Sequence, residues 1–363
     1  MSFNNIYHGK KVLITGHTGF KGSWLAIWLK ELGAEVYGYA LAPSSEMDNF
    51  ITCNLETKIN HSIGDVRDGE HLKKYFAEVQ PDFAFHLAAQ PLVLESYHDP
   101  VGTFDTNLMG TVNFFEAVRA TSSVKAAVNV TTDKCYDNKE WVWGYRENDP
   151  MGGKDPYSAS KGCSELITNS YLESFFQKEG TCHIASARAG NVIGGGDWAP
   201  NRIVPDYFRA LKQGEKLEIR NPYATRPWQH VLEPLSGYLN LGAELFLKGK
   251  EFSGGWNFGP EDMSNYSVKE LIDEILAINP KGGYVIPEEI EKLHEAVLLK
   301  LDISKAANFL KWKPVLNFKE TVEFTSEGYL TDIEGVSSIY SDRLEQIAEY
   351  AKRGAERGIS WAL

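Results

Sequence analysis

The sequence predicts an α/β protein with a doubly wound parallel sheet and a second, smaller α/β domain. Three observations support this prediction. Short apolar runs alternate with helix-length amphipathic segments, a glycine-rich turn follows the first apolar run, and the regular alternation is lost after about residue 190. Strands that alternate with helices form βαβ units, and right-handed crossovers then place helices on both faces of one sheet. A ligand crevice is expected at the carboxyl ends of such strands.

The first half of the chain supplies most of the predicted elements. Strands are predicted from short apolar runs and helices from longer amphipathic segments. The predicted strands are Val12–Thr15, Glu35–Ala40, Asn60–Ile63, Phe83–Ala88, Ala126–Thr131 and His183–Ala187. The predicted helices are Phe20–Gly33, Asp68–Val79, Thr103–Ala120 and Pro156–Gln177.

The second half is predicted to form most of the smaller domain. Loops lengthen after Asn191, and Pro, Trp, Arg and Asn become frequent. We assign residues 1–190 to the first domain, and residues 191–229 and 259–363 to a substrate-binding domain. A helix near Pro234–Phe246 and a strand near Trp256–Phe258 are predicted to return residues 230–258 to the first domain. A polar helix is predicted at 337–358 without an assigned role.

The composition argues against several classes of partner. A formal net charge of −12 disfavours nucleic-acid binding, which needs a basic surface. No pair of the four cysteines has CxxC spacing, so we expect reduced thiols in a cytoplasmic protein and no structural metal. The N-terminal segment lacks the apolar core of a signal peptide, and no apolar run approaches a membrane span. We therefore expect neither a nucleic-acid nor a membrane partner.

The segment VLITGHTGFKG predicts a dinucleotide site of the Rossmann type. It places Gly16, Gly19 and Gly22 at GxxGxxG spacing, after the first strand and at the start of the first helix. Glycine permits the tight turn and the close approach of the backbone to a pyrophosphate, and amides at the helix N-terminus face the phosphates. Thr18 and Phe20 belong to the same loop and are expected to contact the cofactor.

Other segments at strand ends are candidates for the same cofactor. Small residues after the fourth strand, Ala88 and Ala89, leave space in the crevice, and Gln90 follows them. Asp65 and Val66 follow the third strand, where Asp65 is either a cofactor contact or part of an ordinary turn; Asn107 is either a cofactor contact or a brace for the sheet. The end of the second strand, Tyr37–Ala42, contains neither an acidic nor a basic residue. NAD is therefore favoured over NADP only because no basic residue is present there to bind a 2′-phosphate.

Tyr157 and Lys161 are predicted to form a catalytic pair. Asp155 and Pro156 indicate a helix start, and residues four apart share one helical face. An ammonium beside a phenol favours the phenolate, so we expect the pKa of Tyr157 to fall below its usual value of about 10. Such a phenolate can take a proton from a sugar hydroxyl. The alternative is a chance pair on a solvated face.

The YxxxK motif of Tyr157 and Lys161, together with the glycine loop, resembles the pattern of the extended short-chain dehydrogenase/reductases. The resemblance covers roughly residues 8–330 of the chain. The end of the fifth strand, Thr132-Asp133-Lys134, resembles the Thr-Asp-Glu signature of the sugar-nucleotide 4,6-dehydratases. Lysine in place of glutamate is similar to the members that act on CDP-glucose. The alternative is a surface Asp–Lys ion pair in a turn, which would contribute little stability.

The resemblance implies a redox-neutral reaction with NAD. Tyr157 would take the C4 hydroxyl proton while Thr132 holds that oxygen, and hydride would pass from C4 to NAD. Lys134 would remove the C5 proton, Asp133 would protonate the departing C6 hydroxyl, and hydride would return to C6. A lysine base needs a pKa below its usual value of about 10.4, which we attribute to desolvation, Lys161 and the nicotinamide charge. The resemblance also implies that Asp65 lies where the adenine binds.

The nucleotide end of a substrate is assigned to the second half of the chain. In an acidic protein, arginines and aromatic residues in loops suggest a pyrophosphate clamp and a stacking surface for the base. The alternative is a small core with surface ion pairs. The predicted substrate contacts are Asn191, Trp198, Arg202, Arg220, Arg226 and Gln229.

Other functions are compatible with the same sequence features. A 4-epimerase or a dTDP-glucose dehydratase would share the fold, and a non-catalytic NAD-binding protein would not need Thr132, Asp133, Tyr157 and Lys161 together. A homodimer or homotetramer is expected from fold-level analogy alone.

Overall fold

The computed structural model describes residues 2–178, 180–261, 266–287, 298–335 and 338–363. Its centre is a seven-stranded sheet in the order β11-β6-β5-β4-β1-β2-β3, and every neighbouring pair is parallel. These strands are β1 Lys11–Thr15, β2 Glu35–Ala40, β3 Asn60–Ile63, β4 Phe83–His86, β5 Ala126–Thr131, β6 His183–Arg188 and β11 Gly254–Asn257. The doubly wound α/β prediction is confirmed, and β11 joins the sheet edge beside β6.

Helices connect these strands and cover both faces of the sheet. In the first half they are α1 Phe20–Glu31, α2 Asn49–Thr52, α3 Gly69–Val79, α4 Val93–His98, α5 Pro100–Phe104, α6 Gly110–Ala120 and α7 Pro156–Phe175. The second half supplies α8 Ile203–Gln213, α9 Leu232–Lys248, α10 Val268–Ile278, α11 Phe318–Glu334 and α12 Ile339–Glu356. The Asp155 side chain caps α7 as predicted, accepting a hydrogen bond from the Ser158 amide at 2.9 Å.

One predicted helix is interrupted. The segment predicted as a single helix over Thr103–Ala120 consists of α5, a π-helical turn at Asp105–Met109, and α6. Within this turn the Asn107 carbonyl accepts the Thr111 hydroxyl at 2.7 Å. Single π turns of this kind are frequent at functional sites, and here the turn directs Asn107 toward the end of β4.

Short strands and helices of the second half form a separate apolar cluster. The strand pairs are β7 Val192–Ile193 with β10 Gln229–His230, β8 Leu217–Glu218 with β13 Tyr284–Val285, and β9 Thr225–Arg226 with β12 Tyr266–Ser267. Phe208 of α8 stacks on Tyr329 of α11 with ring centroids 4.3 Å apart. This cluster also contains buried side chains of α10. The exact division into domains stays a prediction.

The C-terminal helix packs on the first helix of the sheet. Of the helix predicted at 337–358, Ser337 lies outside the described residues. Tyr350 of α12 meets Trp28 of α1 edge-on at 5.8 Å, and Trp361 stacks on Phe3 at 5.0 Å. Residues 22–29 of α1 are therefore buried between the sheet and the C-terminal segment.

No described helix is both long and apolar enough to cross a membrane. Among the described residues, no three His, Cys, Asp or Glu side chains are grouped as a metal site would require.

A buried carboxyl group joins α9 to the C-terminal segment. Glu233 accepts hydrogen bonds from the Val315 and Leu316 amides and, at 2.8 Å, from the Tyr350 hydroxyl. Burial raises the pKa of Glu233 to about 7, even though these donors lower it. The folded protein thus holds a proton at Glu233 more tightly than the unfolded chain does.

We predict that Glu233 makes the protein less stable as pH rises from about 4.5 to about 7. Over this range the folded state binds the extra proton, so the free energy of unfolding falls, by about 3 kcal/mol in total for this group. Glu233→Gln should flatten that slope. Urea unfolding of both proteins at several pH values measures it, and equal slopes would contradict the buried-proton account.

Candidate active site

The carboxyl ends of β1, β4, β5 and β6 meet at one edge of the sheet, as parallel pairing requires. The segments that follow these strands carry most of the predicted functional residues: Gly16–Phe20, Leu87–Gln90, Thr132–Lys134 and Gly190–Asn191. This shared edge is the candidate active site.

The three loop glycines serve different purposes. Gly16 has φ +79°, and a Cβ there would lie 2.6 Å from the Ala88 nitrogen. A Cβ on Gly22 would lie 2.1 Å from the Gly16 carbonyl oxygen. Gly19 is exposed, and the nearest atom to a Cβ there is 3.5 Å away. Gly16 and Gly22 are therefore required by the loop itself, whereas Gly19 leaves open space at the start of α1.

Threonine side-chain hydroxyl groups connect this loop to the ends of the neighbouring strands. Thr18 donates to the Leu41 carbonyl at 3.0 Å, at the end of β2 where an acidic residue was missing from the sequence. Thr15 bonds His86 Nδ1 at 2.7 Å and accepts the Ala88 amide at 3.3 Å. Burial lowers the pKa of His86 to about 3, so the imidazole is neutral. These bonds hold the ends of β1, β2 and β4 together.

Asn107 braces the segment after β4. Its Oδ1 accepts the Gln90 amide at 2.8 Å, and its Nδ2 donates to the Gln90 carbonyl at 3.0 Å and to Ser160 at 2.9 Å. Of the two interpretations left open by the sequence, these contacts favour the brace. Ala88, Ala89 and Gln90 remain half-buried at the crevice.

Asp65 and Val66 lie at the far end of the crevice, after β3. Both Asp65 oxygens accept from Arg67, with the closest contact to Nη2 at 2.6 Å. The hydrogen bond from the Arg67 side chain lowers the pKa of Asp65. Val66 is buried against Gly110, where a Cβ would lie 2.8 Å from the valine methyl. Their predicted cofactor contacts stay predictions.

Thr132, Asp133 and Tyr157 come together at the end of β5. The Thr132 hydroxyl donates to Asp133 Oδ1 at 2.9 Å, and Asp133 is only 2% exposed. A hydrogen bond with Thr132 and the charge of Asp133 both act on the pKa of Tyr157. Gly190 is needed here, because a Cβ would lie 2.0 Å from Asp133 Oδ2. Asp133 is thus a buried carboxyl group beside the phenol, and not a surface ion pair.

The expected depression of the tyrosine pKa is wrong for this structure. Burial raises the pKa of Tyr157 to about 12, and the groups that lower it are Thr132 and Arg202. Burial also lowers the pKa of Lys161 to about 8, and its ammonium lies 3.5 Å from the Val130 carbonyl. Desolvation outweighs the attraction that the YxxxK spacing suggested.

Lys134 follows Asp133 in a single 3-10 turn, Asp133–Cys135. Its backbone amide donates to the Thr132 hydroxyl at 3.4 Å, and its side chain is half-buried. Its role as a base stays a prediction.

The predicted substrate residues divide into two groups. Asn191 and Arg202 belong to the catalytic edge: Asn191 Nδ2 lies 3.5 Å from Asp133 Oδ2, and Arg202 acts on the pKa of Tyr157. Gln229 is buried and donates to the Gly190 carbonyl at 2.9 Å, so it supports the segment that carries Asn191.

The other three, Trp198, Arg220 and Arg226, have different partners. Trp198 packs edge-on against Tyr329 at 5.2 Å, within the apolar cluster of the small strands. Arg226 lies in β9 and donates to the Thr225 carbonyl at 2.8 Å. The largely exposed Arg220 lies 3.5 Å from Glu218.

Lys21, in the first turn of α1, was missed by the sequence analysis. Burial lowers its pKa to about 8, and the charges of Arg202, Asp133 and Lys161 also act on it. Its ammonium lies 6.0 Å from the ring centroid of Tyr238, a buried residue of α9. Its position directly after Phe20 in the glycine loop was the available signal.

We predict that Gly19→Ala separates cofactor binding from folding. Gly19 has φ −78° and ψ 172°, which alanine adopts freely, so the free energy of unfolding should change by less than about 1 kcal/mol. The new methyl group would occupy the space proposed for the phosphates, and NAD affinity should fall at least about tenfold. Gly16→Ala is the contrasting variant and should destabilise the fold itself. Calorimetric titration with NAD and urea unfolding measure the two effects; unchanged NAD affinity in Gly19→Ala would contradict the assignment.

Comparisons with known proteins identify the family of this chain. The sequence pattern of the family described as GDP-mannose 4,6 dehydratase matches residues 13–325. A CDP-glucose 4,6-dehydratase of Salmonella typhimurium is 47% identical over 95% of this chain and 97% of its own. An epimerase of Methanothermobacter thermautotrophicus superposes with a TM-score of 0.78 at 25% identity, covering 92% of this chain and 97% of its own. The NAD complex of a Bacillus anthracis dTDP-glucose 4,6-dehydratase shares the fold, with a TM-score of 0.72 at 20% identity, 90% coverage of this chain and 98% of its own.

The family match spans the glycine loop, the Thr132–Lys134 segment and the Tyr157/Lys161 helix, and it continues through the small strands of the second half. The extended short-chain dehydrogenase/reductase resemblance is therefore confirmed, and the chain belongs to the GDP-mannose 4,6-dehydratase family.

Proposed function

We propose that the protein is an NAD-dependent lyase that converts CDP-glucose to CDP-4-keto-6-deoxyglucose. The observation that carries the proposal is the buried Asp133 carboxyl group, hydrogen-bonded to Thr132 and close to Tyr157. A simple epimerase needs no acid there, whereas elimination of water does. The 47% identity to a CDP-glucose 4,6-dehydratase supports the same substrate.

The crevice suits a dinucleotide such as NAD. Gly16 and Gly22 bring the backbone close to the helix start, and Gly19 leaves that surface open. When bound, NAD would accept a hydride from C4 of the sugar and return it to C6. The Thr18–Leu41 bond occupies the end of β2, and no acidic residue of Tyr37–Ala42 is available to the adenosine ribose.

Tyr157 and Thr132 would act on the C4 hydroxyl. The Thr132 hydroxyl is hydrogen-bonded to both Asp133 and Tyr157. A sugar C4 oxygen held by Thr132 would therefore lie beside both side chains. With its pKa raised to about 12, Tyr157 is a neutral phenol at neutral pH. The oxidation step should therefore accelerate as pH rises, since the phenolate is the form that accepts the proton.

Asp133 and Lys134 would complete the loss of water. In the proposed elimination, the Asp133 carboxyl group would donate a proton to the departing C6 hydroxyl, and Lys134 would remove the proton at C5, which the C4 ketone acidifies. Burial of Asp133 keeps water from competing for that proton. Asn191 lies 3.5 Å from Asp133, and Arg202 pairs with Asp197. We assign both residues to the sugar diphosphate, and Arg226, Trp198 and Arg220 to the base.

A second copy of the chain is the proposed protein partner. Large apolar side chains are exposed on α4, α5 and α7, where a homodimer or homotetramer would bury them: Leu94, Tyr97, Val101 and Leu166. The proposed location is the cytoplasm.

We predict that CDP-glucose carrying deuterium at C4 yields a product with deuterium at C6. The same assay with dTDP-glucose, UDP-glucose and GDP-mannose should show much slower turnover. Mass spectrometry and proton NMR of the products locate the label. Label retained at C4 would refute the proposed reaction. Faster turnover of another sugar nucleotide would refute the proposed substrate.

We predict that Asp133→Asn blocks elimination while permitting oxidation. The amide has no acidic proton to donate to the C6 oxygen, so overall turnover should fall about a hundredfold or more. Reduced nicotinamide should accumulate, visible as its absorbance during a single turnover. Asp137→Asn is the matched control, because Asp137 lies in the same segment but pairs with Lys139 at the surface. Equal activity of the two variants would remove Asp133 from the mechanism.

A further inference from the structure

A loop of three glycines and an aspartate controls the surroundings of Arg202. The loop, Gly194–Asp197, connects β7 to α8. Asp197 is 3% exposed, and its Oδ2 accepts a hydrogen bond from Arg202 Nη1 at 2.7 Å. The charge of Arg202 also lowers the pKa of Tyr157, so the partner of this loop lies near the catalytic residues.

The loop is held by groups outside itself, because its glycines have no side chains to pack. The Gly196 amide donates to Asp332 Oδ2 at 2.8 Å, and the Tyr329 hydroxyl donates to the Asp197 carbonyl at 2.5 Å; both residues belong to α11. From α1, the Trp24 indole donates to the Gly195 carbonyl at 2.9 Å. A Cβ on Gly195 would lie 2.7 Å from the backbone of α11, so the contact is close.

Arg343 of α12 organises two of these three anchors. It has no exposed surface, and its Nη2 pairs with the Asp332 oxygen that Gly196 does not use. Its guanidinium lies over the Trp24 ring at 5.2 Å. The remaining nitrogens donate to Asp342 at 2.6 Å, the Gly328 carbonyl at 3.3 Å and Asn49 at 3.2 Å.

A buried ion pair of this kind is weak evidence for a role in stability. Removing two charges from water costs several kcal/mol, and apolar residues of similar size often serve the fold as well. The Arg343–Asp332 pair instead fixes the orientation of the Asp332 carboxylate, because Arg343 holds Oδ1 and so sets the position of Oδ2. That oxygen receives the Gly196 amide.

We propose that Arg343 is a positioning residue for substrate binding, which holds Asp332 and thereby the Gly194–Asp197 loop, so that Asp197 directs Arg202 toward the sugar-nucleotide diphosphate. The inference rests on the proposed function for the identity of that ligand. It assigns to the C-terminal helix α12, which lies outside the matched family pattern, a part in substrate affinity.

The test is a double-mutant cycle between Arg343 and Arg202. Arg343→Met should raise KM for CDP-glucose about tenfold, the size expected when a charge-assisted contact is lost, with a smaller change in kcat. Arg202→Met should raise KM at least as much. If Arg343 acts through Arg202, the double variant should be no worse than Arg202→Met alone. Affinity for CDP, titrated by calorimetry, should follow the same pattern without any turnover.

Arg353→Met is the matched control. Arg353 lies on the same helix, pairs with Glu320 of α11 at 3.2 Å and covers the Phe324 ring at 5.0 Å, but it does not contact the loop anchors. Its KM and CDP affinity should stay within about twofold of the parent protein. An equal loss in Arg353→Met, or additive losses in the double variant, would show that α12 contributes only to folding and would overturn the proposal.

A second variant covers the case in which Arg343→Met fails to fold because Asp332 is left as an unpaired buried charge. Asp332→Asn with Arg343→Met removes both charges, and it should show the same loss of CDP affinity. Unchanged CDP affinity in this folded variant would overturn the proposal. Failure of the unaltered protein to turn over CDP-glucose would instead refute the proposed function, while the CDP titration would still decide the role of Arg343.

Discussion

The buried ion pair between Arg188 and Glu165 is the interaction on which the catalytic edge depends. The two side chains are 2.7 Å apart and almost fully buried, at the end of β6 and on α7. Glu165 also accepts hydrogen bonds from Thr131 of β5 and, at 2.6 Å, from Ser186 of β6. One carboxylate therefore joins two adjacent strands to the helix that carries Tyr157 and Lys161. The three accepted hydrogen bonds, from Thr131, Ser186 and Arg188, compensate the cost of burying its charge, which an isolated carboxylate could not offset.

This arrangement explains how an acidic protein prepares a site for an anionic ligand. The chain has a net charge of −12, yet Lys21, Lys161 and Arg202 converge near Asp133. Asp197 neutralises part of this positive charge, because it forms an ion pair with Arg202. The remaining cations are half-buried or buried, where screening by salt is weaker than at the surface. Local concentration of charge, and not the total, determines what the site attracts.

Much of the fold and the centre of the site could be predicted because both depend on short-range patterns. The strand Ala126–Thr131 and the Asp155 cap were predicted correctly, and parallel pairing then brings Thr132 and Asp133 to the same edge as the glycine loop. The pKa of Tyr157 could not be predicted, because spacing reports a neighbour but not the extent of burial. The π turn at Asp105–Met109 interrupts a segment whose apolar pattern predicts one continuous helix, so the pattern could not reveal it. Arg343 and its anchor Trp24 are more than 300 residues apart in sequence, beyond the range of any local pattern.

The aromatic contacts between the two ends of the chain bear on how folding can proceed during synthesis. Phe3 stacks on Trp361, and both meet Trp28 of α1 within 6 Å. The first helix is synthesised long before Tyr350 and Trp361, whose side chains cover its outer surface. Until then a row of tryptophan and leucine side chains stays uncovered, and a chaperone or the growing chain itself must shield it from aggregation. This part of the core can thus close only after Trp361 has been synthesised.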